Sequence, residues 1–328
     1  MSNTVLVTRR LAECALEIVR KQCKTEVFPY DRAMSRAELF DAIGDKDGLL
    51  CLLSDTIDSA LLEAAPRLRA ISNLAVGYNN IDIAAATLRG IPVTNTPGVL
   101  TQTTADLTWA LLMAAARRVA EGDRFTRAGR FGGWSPTLLL GTDVYGKTLG
   151  IVGMGRIGQA VAKRAAGFDM RILYADPQPL EPDTERALHA TRVELDTLLR
   201  ESDFVTLHVP LTDATHHLIG SEQLRLMKPT AYLFNTARGS VVDEKALVAA
   251  LQKKQIAGAG LDVFENEPHI APELLNLENV VLLPHIGSAS VETRTRMAVM
   301  AAENLVAALR GEVPPNCVNP EVFREQRV

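Results

Sequence analysis

The segment that most constrains this chain is Gly153-Met154-Gly155-Arg156-Ile157-Gly158. An apolar run, Thr148 to Gly153, precedes it, and a helix-like stretch, Arg156 to Phe168, follows it. A second apolar run, Arg171 to Ala175, leads into Asp176, 18 residues beyond Gly158. Glycines spaced G-x-G-x-x-G between a strand and a helix, with an acid about 20 residues on, meet the physical needs of a dinucleotide pocket. Gly153 permits the tight turn, Gly155 lets a pyrophosphate reach the backbone, and Gly158 lets the helix pack on the strand. The N–H groups at the helix start, at Arg156 and Ile157, then hold phosphates with help from the helix dipole. The Asp176 carboxylate can accept hydrogen bonds from ribose hydroxyls and would repel a 2′-phosphate. No Lys or Arg falls between Arg171 and Arg186. The charge argument therefore favours NAD, with NADP as the alternative.

The rest of the chain repeats the same rhythm. Strands are expected at Val5-Leu6-Val7, Gly48 to Leu53, Leu68 to Ser72 and Gly90 to Asn95, with helices at Leu11 to Gln22, Ser59 to Ala65 and Asp82 to Arg89. After a long Ala- and Leu-rich helix, Thr101 to Ala120, comes a glycine-rich arm, Arg127 to Gly146. Beyond the Gly-rich turn, strands are expected at Phe204 to Val209, Ala231 to Phe234, Gly258 to Leu261 and Val280 to Leu283. Helices are expected at Glu194 to Arg200, Ser221 to Met227, Asp243 to Lys253 and Ser290 to Arg310. Alternating strands and helices imply parallel sheets covered on both faces. The reading is an α/β chain of two doubly wound domains. Residues 1–99 and 288–328 form one, and residues 100–287 form a nucleotide domain inserted into it.

Composition narrows the function classes. Lys and Arg number 35 against 39 Asp and Glu, a net charge of −4, which argues against a polyanion binder. Aromatics are only 5%, which argues against base-stacking platforms. No run reaches the ~18 apolar residues of a membrane span. Cys14, Cys23, Cys51 and Cys317 form no C-x-x-C pair, as expected of scattered thiols in a reducing cytoplasm. His208 and the pair His216-His217 match no zinc spacing, so no metal is expected.

Three further motifs follow predicted strands: Asn235-Thr236-Ala237-Arg238-Gly239, Asp262-Val263-Phe264-Glu265-Asn266-Glu267-Pro268 and Pro284-His285-Ile286-Gly287. In doubly wound folds the carboxyl ends of strands are where ligands bind. Arg, Glu and His gathered there suit a keto acid, which needs a cation for its carboxylate and a proton donor for its carbonyl.

Taken with Asn73 to Asp82, Thr96 to Thr101 and Thr103 to Asp106, these motifs make the chain resemble the D-isomer-specific 2-hydroxyacid dehydrogenases. Within that family it looks most like the glyoxylate/hydroxypyruvate reductases and 2-ketogluconate reductases. The resemblance covers nearly the whole chain. It implies a Rossmann NAD(P) domain inserted into a flavodoxin-like substrate domain. It also implies reduction of a 2-keto acid to the D-2-hydroxy acid by hydride from NAD(P)H, in a homodimer. Position by position, it implies Arg238 on the substrate carboxylate and carbonyl oxygen, where a guanidinium fork fits. His285 is implied as general acid in reduction and Glu267, the glutamate directly before Pro, as its hydrogen-bond partner, with Glu265 the nearby competitor. The N–H groups of Val76 and Gly77 are implied to face the substrate carboxylate. Thr104, Val209, Ala237, Arg238, Asp262, His285 and Gly287 fall where the family contacts cofactor. Asp176 stands where NADP-using reductases of the group often carry neutral or basic residues. The arm around Trp134 lacks the second tryptophan of some hydroxypyruvate reductases. The alternatives are an NADH-sensing corepressor-type protein, or another family member such as a phosphoglycerate dehydrogenase.

Overall fold

The computed structural model describes residues 2–323. They form two units. One holds the residues up to Leu100 together with those from Ser288 onward, and the other is Thr101–Gly287.

The first unit opens with β1 (Thr4–Val7), α1 (Glu13–Arg20), β2 (Lys24–Val27), α2 (Arg36–Ile43) and β3 (Gly48–Cys51). It continues with α3 (Ser59–Glu63), β4 (Ala70–Asn73), α4 (Ile83–Leu88) and β5 (Val93–Thr94). All neighbouring strands pair parallel, in the order β2-β1-β3-β4-β5, the flavodoxin-like order. Side chains alternate between two apolar layers: Val5 and Val7 enter one, and Leu6 enters the other. Strands buried on both faces read as continuous apolar runs, which is why β1 and β3 are legible in the sequence. By contrast, β2 (Lys-Thr-Glu-Val) is a half-exposed edge strand, and no apolar run announces it.

The second unit contains α5 (Thr101–Ala116), α6 (Val119–Arg127), β6 (Thr148–Val152), α7 (Arg156–Ala165) and β7 (Arg171–Ala175). Then come α8 (Pro182–Leu188), β8 (Ala190–Arg192), α9 (Leu195–Glu201), β9 (Phe204–Leu207) and α10 (Ser221–Leu226). Last are β10 (Tyr232–Asn235), α11 (Glu244–Gln252), β11 (Gly258–Leu261), α12 (Pro272–Leu275) and β12 (Val280–Leu282). Its parallel sheet runs β12-β11-β10-β9-β6-β7-β8. Order reverses between β6 and β9, and such a switch point opens a crevice at the carboxyl ends of the strands. Local signals set several starts: Asp243 caps α11 by accepting from Ala246 N at 3.0 Å.

The chain then returns to the first unit through α13 (Val291–Leu309), capped by Ser290, which accepts from Thr293 N at 3.2 Å. Met297, Ala301 and Leu305 of α13 join the layer that holds Val5 and Val7. The segment past Gly311 docks on β5, where buried Asn319 accepts from Val93 N at 2.7 Å.

The helix expected over Thr101 to Ala120 is two helices. Arg118 adopts left-handed backbone (φ 53°) and α6 starts at Val119. The break is tertiary in origin. Thr142 N takes the Ala116 carbonyl at 2.8 Å, and Arg118 forks onto Glu121 at 2.7 Å while reaching Leu140 O at 3.3 Å. No Gly or Pro marks it. The sequence reading also passes over α2, α8, β8 and α12, all short, although Ser35 and Glu38 form a capping box ahead of α2. Among the described residues, no helix is long and apolar enough to cross a membrane.

Candidate active site

At the Gly-rich turn the backbone does what only glycine permits. Gly153 sits at φ +92° against the His208 carbonyl and Val209, and a Cβ on Gly158 would lie 2.2 Å from Gly153 O. A Cβ on Gly155 would meet nothing within 4 Å. The space over Gly155 is thus open at the start of α7, whose first turn has no side-chain cap. Arg156 is exposed there and Ile157 half-buried. Unpaired first-turn N–H groups with an open approach are what a phosphate requires.

Asp176 closes the far side of this turn. One carboxylate oxygen accepts from Met154 N at 2.7 Å and the other from Gln178 N at 2.9 Å. A cation stands beside it that no local stretch of sequence reveals. Arg192, at the end of the neighbouring strand β8, donates to Asp176 O at 2.9 Å and to Pro177 O at 3.0 Å. The empty interval from Arg171 to Arg186 therefore describes the sequence but not the space around Asp176.

Arg238 follows β10. Asn235 shapes its loop, donating to Arg238 O at 2.8 Å and accepting from Ala237 N at 3.0 Å, and Arg238 Nη1 reaches Ala237 O at 2.7 Å. Burial draws the Arg238 pKa below its ordinary value, and the Glu267 charge opposes that pull. His285 Nδ1 lies 2.7 Å from Glu267 Oε2, while Glu267 Oε1 accepts from Phe264 N at 3.0 Å. Burial pushes the Glu267 carboxyl up, but the His285 bond and charge, Phe264 N–H and Arg238 outweigh it and hold it below its usual range. Arg238, Glu267 and His285 are therefore electrostatically one group.

Glu265 points elsewhere. Its Oε1 lies 2.7 Å from His217 Nε2, and its Oε2 accepts from Glu244 N at 3.3 Å. His216, His217 and Glu265 place donor atoms within 4.8 Å of one another. Sequence spacing hides this juxtaposition, in which the formed contact is the His217–Glu265 hydrogen bond.

His285 occupies left-handed backbone at φ 55°, a conformation that a non-glycine residue holds only when its surroundings over-determine it. Asp262 supplies the restraint. Its carbonyl takes His285 N at 2.9 Å, and its carboxylate oxygens take Ile286 N and Gly287 N, each at 2.7 Å. Burial raises the Asp262 pKa, against the pull of those N–H groups and the His285 charge. Both Asp262 oxygens are thus committed to the loop that carries His285. A Cβ on Gly287 would lie 3.6 Å from Thr104, which places that α5 residue beside the same loop.

Val76 and Gly77 lie in the first unit, in the half-buried turn after β4. Asn95 Nδ2 donates to Val76 O at 2.7 Å and Asn73 Nδ2 donates to Gly77 O at 3.0 Å.

Comparison with known proteins identifies the family. The family described as "D-isomer specific 2-hydroxyacid dehydrogenase, NAD binding domain" matches residues 109–287. A glyoxylate reductase of Korarchaeum cryptofilum is 57% identical over 99% of this chain and 98% of its own length. A Thermus thermophilus protein of known structure superposes with a TM-score of 0.89 at 48% identity, over 96% of this chain and 99% of its own. A Sinorhizobium meliloti NADPH-dependent glyoxylate/hydroxypyruvate reductase, solved with NADP and malonate, has a TM-score of 0.86 at 34% identity and covers 98% of each chain. The chain carries a nicotinamide-dinucleotide domain and belongs to the D-isomer specific 2-hydroxyacid dehydrogenase family.

Proposed function

We propose that this protein reduces a small 2-keto acid (glyoxylate, hydroxypyruvate or 2-ketogluconate) to the D-2-hydroxy acid. The observation that carries this reading is the 2.7 Å contact between His285 Nδ1 and Glu267, beside Arg238. With Nδ1 engaged by a carboxylate, Nε2 is the nitrogen left to face a substrate. His285 gives its Nε2 proton to the carbonyl oxygen as negative charge develops there. Glu267 orients the ring through its bond to Nδ1. Arg238 binds the keto acid and stabilises the same oxygen. The N–H groups of Val76 and Gly77 take the carboxylate. The bound nicotinamide supplies the hydride. In the reverse direction His285 Nε2 receives the proton.

Thr104, Val209, Ala237 and Gly287 border the dinucleotide, and Asp262 serves it by holding the 285–287 loop. The open space over Gly155 supports pyrophosphate binding there. The negative charge of Asp176 favours NAD over NADP. Arg192 is the residue that could offset that charge and admit NADP. The residues up to Leu100 with those from Ser288 serve the substrate, and Thr101–Gly287 serves the cofactor. Phe131, Trp134 (84% exposed), Leu140 and Tyr145 leave the arm apolar and uncovered, which supports a homodimer. Four free cysteines fit a cytoplasmic setting.

The test is initial rates on the three keto acids, each with NADH and with NADPH. Turnover with NADH supports the full reading. Preference for NADPH overturns the Asp176 argument. Tight NADH binding without turnover on any keto acid overturns the enzyme reading and favours a sensor.

A further inference from the structure

The turn after β4 is held from behind in an unusual way. Three successive carbonyls have protein donors. Ala75 O accepts from Thr96 N at 2.8 Å, Val76 O from Asn95 Nδ2 at 2.7 Å, and Gly77 O from Asn73 Nδ2 at 3.0 Å. A trans peptide is planar, so its N–H points opposite its C=O. Fixing the carbonyls of residues 75, 76 and 77 therefore fixes the N–H groups of Val76, Gly77 and Tyr78. Among the described residues, none of these three N–H groups donates to a protein acceptor.

The two amides are themselves locked. Asn73 is 0% and Asn95 8% exposed. Asn95 N donates to Asn316 O at 3.2 Å, and Asn95 O accepts from Asn304 Nδ2 of α13 at 3.2 Å. Asn73 also donates to Asn80 Oδ1 at 3.1 Å, and Asn80 Nδ2 ties the turn to Leu52 O and Asp55 O at 3.1 and 3.0 Å. Two buried asparagines thus spend their donors on carbonyls that a surface turn could leave to water.

We infer that Asn95 is a positioning residue for substrate: its amide aims and polarises the Gly77 N–H, while Asn73 does the same for Tyr78 N–H. A donor whose own carbonyl is hydrogen-bonded is a stronger donor. The inference rests on the proposed carboxylate role of Val76 and Gly77. Asn95 touches neither substrate nor cofactor in this scheme.

The experiment compares Asn95→Asp, Asn73→Ser and Arg238→Lys with wild type. The readouts are KM and kcat on glyoxylate, competitive inhibition by oxalate, and NADH affinity. Asp keeps the size of Asn95 but replaces the donor with an acceptor facing Val76 O. A carboxylate contact made equally in ground and transition state appears in KM and not in kcat. Asn95→Asp is expected to raise KM for glyoxylate and Ki for oxalate together by about 10- to 100-fold, the worth of one hydrogen bond to a charged group. NADH affinity stays unchanged and kcat stays within about threefold. Asn73→Ser has a smaller effect, because Tyr78 N–H lies one peptide beyond the two assigned donors. Should the charged variant not fold, Asn95→Ser carries the same comparison.

If Arg238→Lys impairs glyoxylate use while Asn95→Asp leaves KM and Ki unchanged, the positioning role is wrong and the substrate reading stands. If Asn95→Asp weakens NADH and glyoxylate binding alike, Asn95 is merely structural and the inference falls. If neither Arg238→Lys nor Asn95→Asp alters keto-acid kinetics, the substrate reading itself fails.

Discussion

Replacing Asp262 by Asn changes one oxygen to an NH2 group at a residue only 1% exposed. In the native protein its two oxygens accept from Ile286 N and Gly287 N at 2.7 Å each. Asn can satisfy one of these donors, and its NH2 then faces the other. The loss of a charge-assisted hydrogen bond is worth about 1.5–3 kcal/mol, and a buried unsatisfied N–H about 1–3 kcal/mol more. Burial of the native carboxylate is itself costly, as its raised pKa indicates, so removing the charge offsets part of that sum. A net loss of about 3 kcal/mol corresponds to a fall in Tm of about 6–12 °C at this domain size. The same change frees the loop that holds His285 in its left-handed conformation. A displacement of about 1 Å at a reacting group costs on the order of 100-fold in rate. Thermal unfolding and steady-state rates on glyoxylate measure both effects. A variant with unchanged Tm and kcat would refute the idea that Asp262 holds the His285 loop.

Three further predictions test other parts of the scheme. Glu267→Gln should lower kcat by about 100-fold or more, the scale of general acid–base assistance, with NADH affinity intact by fluorescence titration; near-normal turnover would exclude the His285–Glu267 pair from the chemistry. Asp176→Ala should shift the NADH-to-NADPH ratio of kcat/KM toward NADPH by at least about tenfold, because a like charge facing the 2′-phosphate is removed; an unchanged ratio would put cofactor choice elsewhere. His208 is half-buried, its Nδ1 is shielded from solvent with no hydrogen-bond partner among the described residues, and burial of the ring lowers its pKa to about 3. The unfolded chain therefore binds the extra proton first as pH falls below about 6.5, and stability declines toward the folded value at up to about 1.4 kcal/mol per pH unit. Urea unfolding at pH 7 and pH 5 should show that slope reduced in His208→Asn, and an equal slope in both proteins would contradict it.

Much of the second unit was legible because its signals are local. The spacing of Gly153, Gly155 and Gly158, the apolar run ahead of them and Asp176 at the end of β7 lie within one stretch of chain. Steric demands at a tight turn act over a few residues, so they leave a mark in a few residues. The cap Asp243 is legible for the same reason. The resemblance separated Glu267 from Glu265 by its place before Pro, and the 2.7 Å contact to His285 falls on Glu267.

Other features depend on segments that meet only after folding. Arg192 reaches Asp176 O because β8 lies beside β7. Asn95 reaches Val76 O because β5 lies beside β4. The break at Arg118 follows from the return of Leu140 and Thr142. Nothing in the immediate sequence of Arg118, Asn95 or Arg192 distinguishes them from surface polar residues. Their partners are chosen by strand order and loop crossing, which are global properties of the packed chain. The sequence by itself determined the chemistry carried at the strand ends, through residue types at short fixed spacing. Only the tertiary structure decided which backbone groups those residues hold, because hydrogen bonds act over about 3 Å of space irrespective of distance along the chain.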